Sequence, residues 1–94
     1  MTSRHEYIAK MKLQLDELNA KMDKLEAKAK DARADAREKY MEEMSKLRQQ
    51  SVLAKDNLEL LKSASEDRWE AMVAKMEKIR DAFAHSFHYF KSQI

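Results

Sequence analysis

The sequence predicts an all-α coiled-coil protein, in which a long helix is followed by a shorter antiparallel helix and the helices assemble as an oligomeric bundle. Three observations predict this class. The chain has no glycine and no proline, the residues that most often interrupt helices. Charged residues make up 38% of it, which is typical of long solvent-exposed helices. Apolar residues recur at alternating steps of three and four, and no segment has the period of two that a strand requires.

The first predicted helix spans residues 4–62. Ser3 followed by Glu6 fits a capping box, which places the start of the helix near Arg4. An apolar stripe then follows with the spacing of a coiled-coil seam. Its large members, which we expect to form the seam of an oligomer, are Ile8, Met11, Leu15, Leu18, Met22 and Leu25.

The stripe changes character in the middle of this helix, where its members become Ala29, Ala32 and Ala36. Alanines bury little apolar area, but they have the highest helix propensity. We interpret this section as a weak part of the coiled coil that stays helical, and a flexible point is the alternative. Beyond it, a stutter passes through Tyr40 to Met44 before the stripe resumes.

The chain is predicted to break at residues 63–65. Ser63 and Glu66 fit a capping box, whereas Ser65 followed by Glu66 and Asp67 fits an N-cap with acidic residues in the first turn. The two registers differ by two residues, and the sequence does not choose between them. Because neither glycine nor proline forces a turn here, one continuous helix is the alternative.

The second predicted helix spans residues 66–92 and folds back on the first. At 1.5 Å per residue the first helix would be roughly 90 Å long and the second about 40 Å. Val52, Leu53 and Leu60 lie off the stripe and widen the apolar face where a second helix could pack. The residues expected in this hairpin packing are Leu47, Leu58, Leu61, Trp69, Met72, Met76, Ile79 and Phe83.

Such a short second helix would leave the stripe between Ile8 and Leu25 bare within one chain. An exposed apolar stripe of this length should be covered by a partner. We therefore expect a homo-oligomer, most simply an antiparallel dimer. A parallel dimer or a tetramer would satisfy the same argument.

Composition and motifs argue against several classes of function. The net charge is only +2 and acidic residues interleave with basic ones, so no nucleic-acid partner is expected. The chain has no cysteine, no glycine-rich phosphate loop and no spacing typical of a catalytic triad, so we expect neither enzymatic activity nor a cofactor. No signal-like segment or apolar run of the ~20 residues that cross a bilayer is present, which favours a cytoplasmic protein.

The last helix carries two features that could bind a ligand. Asp81, His85 and His88 share a helical face, but a third strong ligand is missing at helical spacing, so we expect no metal site. The aromatic residues near the C-terminus are compatible with docking at a membrane surface. The polar face of this helix has few lysines or arginines, so we expect the aromatic residues to close one end of a bundle instead.

Two stretches resemble a known family. The first is Tyr7–Tyr40, which contains the runs Gln14–Ala20 and Lys24–Ala29, and the second is Leu58–Trp69, in which a Ser-Ala-Ser-Glu break precedes the tryptophan. They are similar to a family of small bacterial coiled-coil proteins that is labelled a stress-response family after a cyanobacterial member. The resemblance covers most of the chain.

The resemblance implies a bacterial helical protein linked to the stress response, with no defined activity and no site residues to carry over. Family members tend to carry a second tryptophan in the last helix, where this chain has Phe83 and Phe87. We therefore expect a structural or interaction protein that acts through its helical surface. A protein that binds lipid or a membrane surface through an amphipathic helix is the alternative.

Overall fold

The computed structural model describes residues 3–94, which form a three-helix bundle. The helices are α1 (Arg4–Lys30), α2 (Ala34–Lys62) and α3 (Glu66–Gln93). This part of the chain contains no strand, so the predicted all-α class is confirmed. Because both connections are only three residues long, α2 runs antiparallel to its neighbours, and α1 and α3 run parallel to each other. The bundle measures 51 × 18 × 17 Å.

The prediction of one helix over residues 4–62 is wrong, because a turn at 31–33 divides it. Asp31 keeps a helical conformation (φ −84°, ψ −2°), and Arg33 is extended (φ −59°, ψ 151°). No described residue has a positive φ, so the turn needs no glycine. The chain reverses within backbone regions that any residue can adopt.

Hydrogen bonds satisfy the backbone groups at this turn. The Asp31 N–H donates to the Ala27 carbonyl at 3.2 Å, and the Ala32 N–H donates to the Ala29 carbonyl at 3.3 Å. The Arg37 guanidinium donates to the Ala32 carbonyl through Nε at 3.3 Å and Nη2 at 3.1 Å. The end of α1 is thus closed by side-chain and backbone donors.

The weak middle of the apolar stripe explains why the chain turns there. Alanine side chains near this turn bury little area, so a straight helix gains little from pairing with a second chain at that point. A turn lets the two halves of the stripe bury each other within one chain. This intramolecular packing avoids the free-energy cost of bringing two chains together.

The expectation that the α1 stripe stays bare within one chain is also corrected. Met11, Leu15, Met22 and Leu25 are at most 4% exposed and belong to a single core shared with α2 and α3. Ile8, Leu18 and Tyr7 are half-buried against that core. The predicted oligomer seam therefore lies in the interior of one chain.

The second turn lies at residues 63–65. Ser65 is the N-cap of α3, with an extended backbone (φ −72°, ψ 159°), and its carbonyl accepts a hydrogen bond from the Arg68 N–H at 3.1 Å. The Ser63 hydroxyl instead donates to the Leu60 carbonyl at 3.4 Å and closes the end of α2. Of the two registers open to the sequence, the structure has the one that starts at Glu66.

The remaining core joins α2 and α3. Of the residues expected in the hairpin packing, five are buried and three are half-buried against the core. The buried ones are Leu47, Leu58, Leu61, Met76 and Phe83, and the half-buried ones are Trp69, Met72 and Ile79. Further buried apolar side chains that the stripe analysis did not assign to this packing are Ala29, Met44, Ala54, Phe87 and Phe90.

Candidate interaction surface

An aromatic and charged cluster connects the N-terminal ends of α1 and α3. The rings of Tyr7 and Trp69 meet edge to face, with centroids 5.8 Å apart and an interplanar angle of 80°. The Cζ atom of Arg4 lies 4.6 Å from the Trp69 centroid, a cation–π geometry. The Arg4 guanidinium also donates to the Ala64 carbonyl at 2.5 Å. These contacts attach the start of α1 to both the second turn and α3.

The Tyr7 hydroxyl in this cluster donates to the Glu77 carboxylate at 3.4 Å. Burial of the phenol raises the pKa of Tyr7 to about 12, and the negative charge of Glu77 adds to the effect. The phenol therefore stays protonated and remains a hydrogen-bond donor near neutral pH. The cluster packs and orients helices, and its tyrosine is a poor candidate for proton transfer at that pH.

A second polar cluster connects α1 to α2. The Arg48 guanidinium pairs with the Glu26 carboxylate and lies 3.5 Å from that of Asp23. The hydrogen bond from Arg48 is the main reason that the pKa of Glu26 is lowered. Further along, the Ser51 hydroxyl donates to the Asn19 side-chain oxygen at 2.5 Å. These contacts hold α1 against α2 along the bundle.

The aromatic residues near the C-terminus are mostly inside the bundle. Phe83, Phe87 and Phe90 are buried, and Tyr40 from α2 meets Phe90 edge to face with centroids 5.9 Å apart. The Tyr40 hydroxyl donates to the Gln93 carbonyl at 3.3 Å. The three phenylalanines therefore pack against this end of the bundle and present little surface to a membrane.

The histidines of α3 lie on its solvent-facing side. His85 and His88 are exposed, and Asp81 accepts hydrogen bonds from Arg80 through Nε at 3.1 Å and Nη2 at 2.9 Å. Within residues 3–94, no group of three or more His, Cys, Asp or Glu side chains is placed to hold a metal ion. None of the three helices has a segment long and apolar enough to cross a membrane.

Three large apolar side chains of α2 are exposed to solvent. Val52, Leu53 and Leu60 of α2 are 57%, 50% and 54% exposed. We call these three residues the α2 face. Leu53 and Leu60 are seven residues apart, so they lie on the same side of the helix, with Val52 beside them. The suggestion that these residues widen the surface on which the second helix packs is wrong, because each of them stays at least half exposed.

The sequence contained a signal for the α2 face, namely the three apolar residues off the main stripe. These residues widen the apolar face of α2, so a second helix could have packed on them. In the folded chain Ala54, Leu58 and Leu61 are buried, and the off-stripe residues stay exposed. Comparison of the chain with models of protein families, with curated proteins and with solved structures finds no match.

Proposed function

We propose that this protein is a non-enzymatic helical interaction module that self-associates as a dimer through the α2 face. The observation that carries the proposal is the exposure of Val52, Leu53 and Leu60, each at least half accessible to solvent on one side of one helix. Single exposed apolar residues are normal on any protein surface, whereas neighbouring large ones mark interaction sites. The sequence has no cysteine and no glycine, which removes thiol nucleophiles and glycine-rich phosphate loops from consideration.

A second copy of this chain is the partner that the proposal names. In a twofold arrangement the same surface of each chain meets the other, so Val52, Leu53 and Leu60 of one copy are covered by the same residues of its partner.

The charged residues near the α2 face already have partners on the same helix. Lys46 pairs with Glu43 at 3.3 Å, and Glu59 pairs with Lys62 at 2.9 Å. Exposed pairs of this kind contribute little to stability, so rearranging them at an interface costs little. The gain comes from removing the α2 face from water.

The experiment is sedimentation equilibrium over a wide range of protein concentration. The chain has a mass of 11.1 kDa, and we expect the apparent mass to rise toward twice that value as concentration increases. The double variant Leu53→Lys/Leu60→Lys should remain a monomer at the same concentrations, because it places charges in the proposed interface.

Leu13→Lys is the matched control, since Leu13 is a single exposed leucine on α1, 59% accessible and outside the α2 face. This variant should dimerise like the unmodified chain. A monomer at all concentrations would overturn the proposal. Equal loss of dimer in both variants would overturn the assignment to the α2 face.

A further inference from the structure

A groove separates the C-terminal halves of α1 and α3. These two parallel helices are joined near their N-terminal ends, and the groove lies between residues 21–28 of α1 and 87–91 of α3. The groove has a volume of about 310 Å³, which is at the small end of the range of sites that hold small molecules. Its lining consists of four lysines and two apolar residues, which are Lys21, Lys24, Leu25, Lys28, Phe87 and Lys91.

All the charged side chains that line this groove are positive. No carboxylate lines it, although acidic and basic residues interleave over the rest of the chain. The ion pairs found among residues 3–94 involve none of the four lysines. Four unpaired ammonium groups around one opening repel each other, and an anion between them would relieve that repulsion.

Helix dipoles explain only part of this arrangement. Lys28 and Lys91 lie in the last turns of α1 and α3, where a cation is favourable without any ligand. Lys21 and Lys24 lie more than one turn before the end of α1, beyond the reach of that effect. The helix dipole therefore does not account for the position of Lys21 and Lys24 beside the same groove.

The floor of the groove is apolar. Leu25 and Phe87 lie beneath the lysines, and the aliphatic stems of the lysines extend the apolar wall toward the charged rim. A ligand that fits both parts has an anionic head and a short apolar body. An extended polyanion does not fit as well, because Glu17 lies one turn before Lys21 on the same face of α1 and interrupts the positive charge there.

We propose that the groove between α1 and α3 binds a single-chain amphipathic anion, with a carboxylate or phosphate head held by the lysines and the start of its chain against Leu25 and Phe87. Such a head group is found on free fatty acids and alkyl phosphates and also on membrane lipids. The groove lies on the opposite side of the bundle from α2, so this proposal and the dimer proposal can fail independently.

The first measurement is isothermal titration of the full chain with sodium decanoate and with decyl phosphate, both kept below micelle formation. Inorganic phosphate supplies charge without a chain, and decyl maltoside supplies a chain without charge. We expect the two amphipathic anions to bind at least about tenfold more tightly than either control compound. Equal binding of decyl maltoside, or no binding of either anion, overturns the proposal.

The second measurement locates the site without any substitution. Amide chemical shifts recorded during a decanoate titration should change most around Leu25, Lys28 and Phe87. Changes centred on the α2 face instead would overturn the groove assignment, because they would mean that the compound covers exposed leucines. Anionic phosphatidylglycerol vesicles separate the two sources of the head group. Co-sedimentation with vesicles without binding of the monomeric anions would overturn the proposal in favour of a membrane surface.

The third measurement uses charge variants. Lys21→Gln/Lys24→Gln/Lys28→Gln should weaken decanoate binding by about tenfold or more. These side chains are exposed and make no ion pair with the described residues, so the helical fold should persist and can be checked by circular dichroism.

A matched control removes the same total charge elsewhere on the bundle. Lys10→Gln/Lys75→Gln/Lys78→Gln changes three exposed lysines that do not line the groove. This control should bind decanoate within about twofold of the unmodified chain, since long-range charge alone is screened by salt. Equal weakening in both triple variants would show attraction by net charge only and would overturn the site.

Discussion

The guanidinium of Arg4 lies over the indole of Trp69, with its Cζ atom 4.6 Å from the ring centroid. The two residues come from the first turns of α1 and α3, and the ring of Tyr7 meets the Trp69 indole edge to face. The parallel pair α1 and α3 is therefore held together at its N-terminal ends. At the C-terminal ends the same pair opens into the lysine-lined groove.

Replacing the indole should test how much this cluster stabilises the bundle. Trp69→Ala should lower the free energy of unfolding by about 2–4 kcal/mol, somewhat less than a fully buried tryptophan because the ring is half-buried. Thermal and urea unfolding followed by circular dichroism give the value. Tyr89→Ala is the control, since Tyr89 is 63% exposed, and it should change stability by less than about 0.5 kcal/mol. A similarly small effect of Trp69→Ala would contradict the packing described here.

The ion pair between Glu26 and Arg48 should make stability depend on pH. The hydrogen bond from Arg48 lowers the pKa of Glu26, so the ionised carboxylate favours the folded state. This contribution is fully present above the ordinary pKa of a glutamate and is lost as the pH falls through the lowered pKa. Glu26→Gln should therefore destabilise the protein near pH 7 and have no such effect near pH 2.

Urea unfolding of this variant and of the unmodified chain at both pH values gives the comparison. Glu70→Gln is the control, because Glu70 is exposed and makes no ion pair with the described residues. It should leave stability nearly unchanged at both pH values. A loss from Glu26→Gln that is the same at both pH values would mean that packing, and not charge, accounts for the effect.

The N-cap of α2 can be improved. Arg33 occupies this position without a side-chain hydrogen bond to the first turn of the helix. Arg33→Asp supplies a carboxylate that accepts from the backbone N–H groups there, and should stabilise the protein by about 0.5–2 kcal/mol. Arg33→Ala removes the arginine without adding a cap and should be close to neutral in urea unfolding. If Arg33→Asp is no more stable than Arg33→Ala, Arg33 is not the N-cap of α2.

Small buried residues set how closely the helices pack. Ala54 of α2 is fully buried in the core of the bundle. Ala54→Leu should therefore overpack the core and destabilise the protein by about 1–3 kcal/mol. Ala20→Leu, on the exposed side of α1, should change the free energy of unfolding by less than about 0.5 kcal/mol. Thermal melting of the two variants side by side provides the test. A stabilising Ala54→Leu would reveal a cavity that the structure does not contain.

Local signals in the sequence were sufficient for the start of α1 and narrowed the start of α3 to two registers. The Ser3 hydroxyl accepts from the Glu6 N–H at 3.2 Å, as half of the expected capping box, and Ser65 is the N-cap of α3. Both features depend on residues within one turn of each other, so a linear sequence suggests them. The period of the apolar stripe was likewise enough to identify most of the buried residues.

The turn at residues 31–33 could not be identified in the same way. Ala29, Ala32 and Ala36 favour helix by propensity, and Asp31 and Arg33 adopt conformations open to any residue. Whether such a segment stays straight depends on what the rest of the stripe packs against, which is a tertiary property. The alanines are the part of the stripe that buries the least apolar area. A small buried area alone does not distinguish a weakly paired coiled coil from a turn.

Whether the off-stripe residues are buried or exposed also depends on the turn at residues 31–33. Once the chain turns at 31–33, α1 and α3 both pack on α2, and the α2 face is left outside. Its residues could be recognised from their spacing, whereas their exposure followed only from the position of the third helix. The lysine groove was missed for the same reason, because Lys24 and Lys91 come together only when α1 and α3 run parallel.

The turn between α1 and α2 is the central claim, and small-angle X-ray scattering tests it most directly. Dilute Leu53→Lys/Leu60→Lys protein is the suitable sample, because this variant removes the proposed dimer contact. The three-helix bundle predicts a monomer whose longest dimension is close to the 51 Å extent of its Cα atoms, increased only by side chains and hydration. A longest dimension of about 90 Å or more, which residues 4–62 would span as one helix, would contradict the turn.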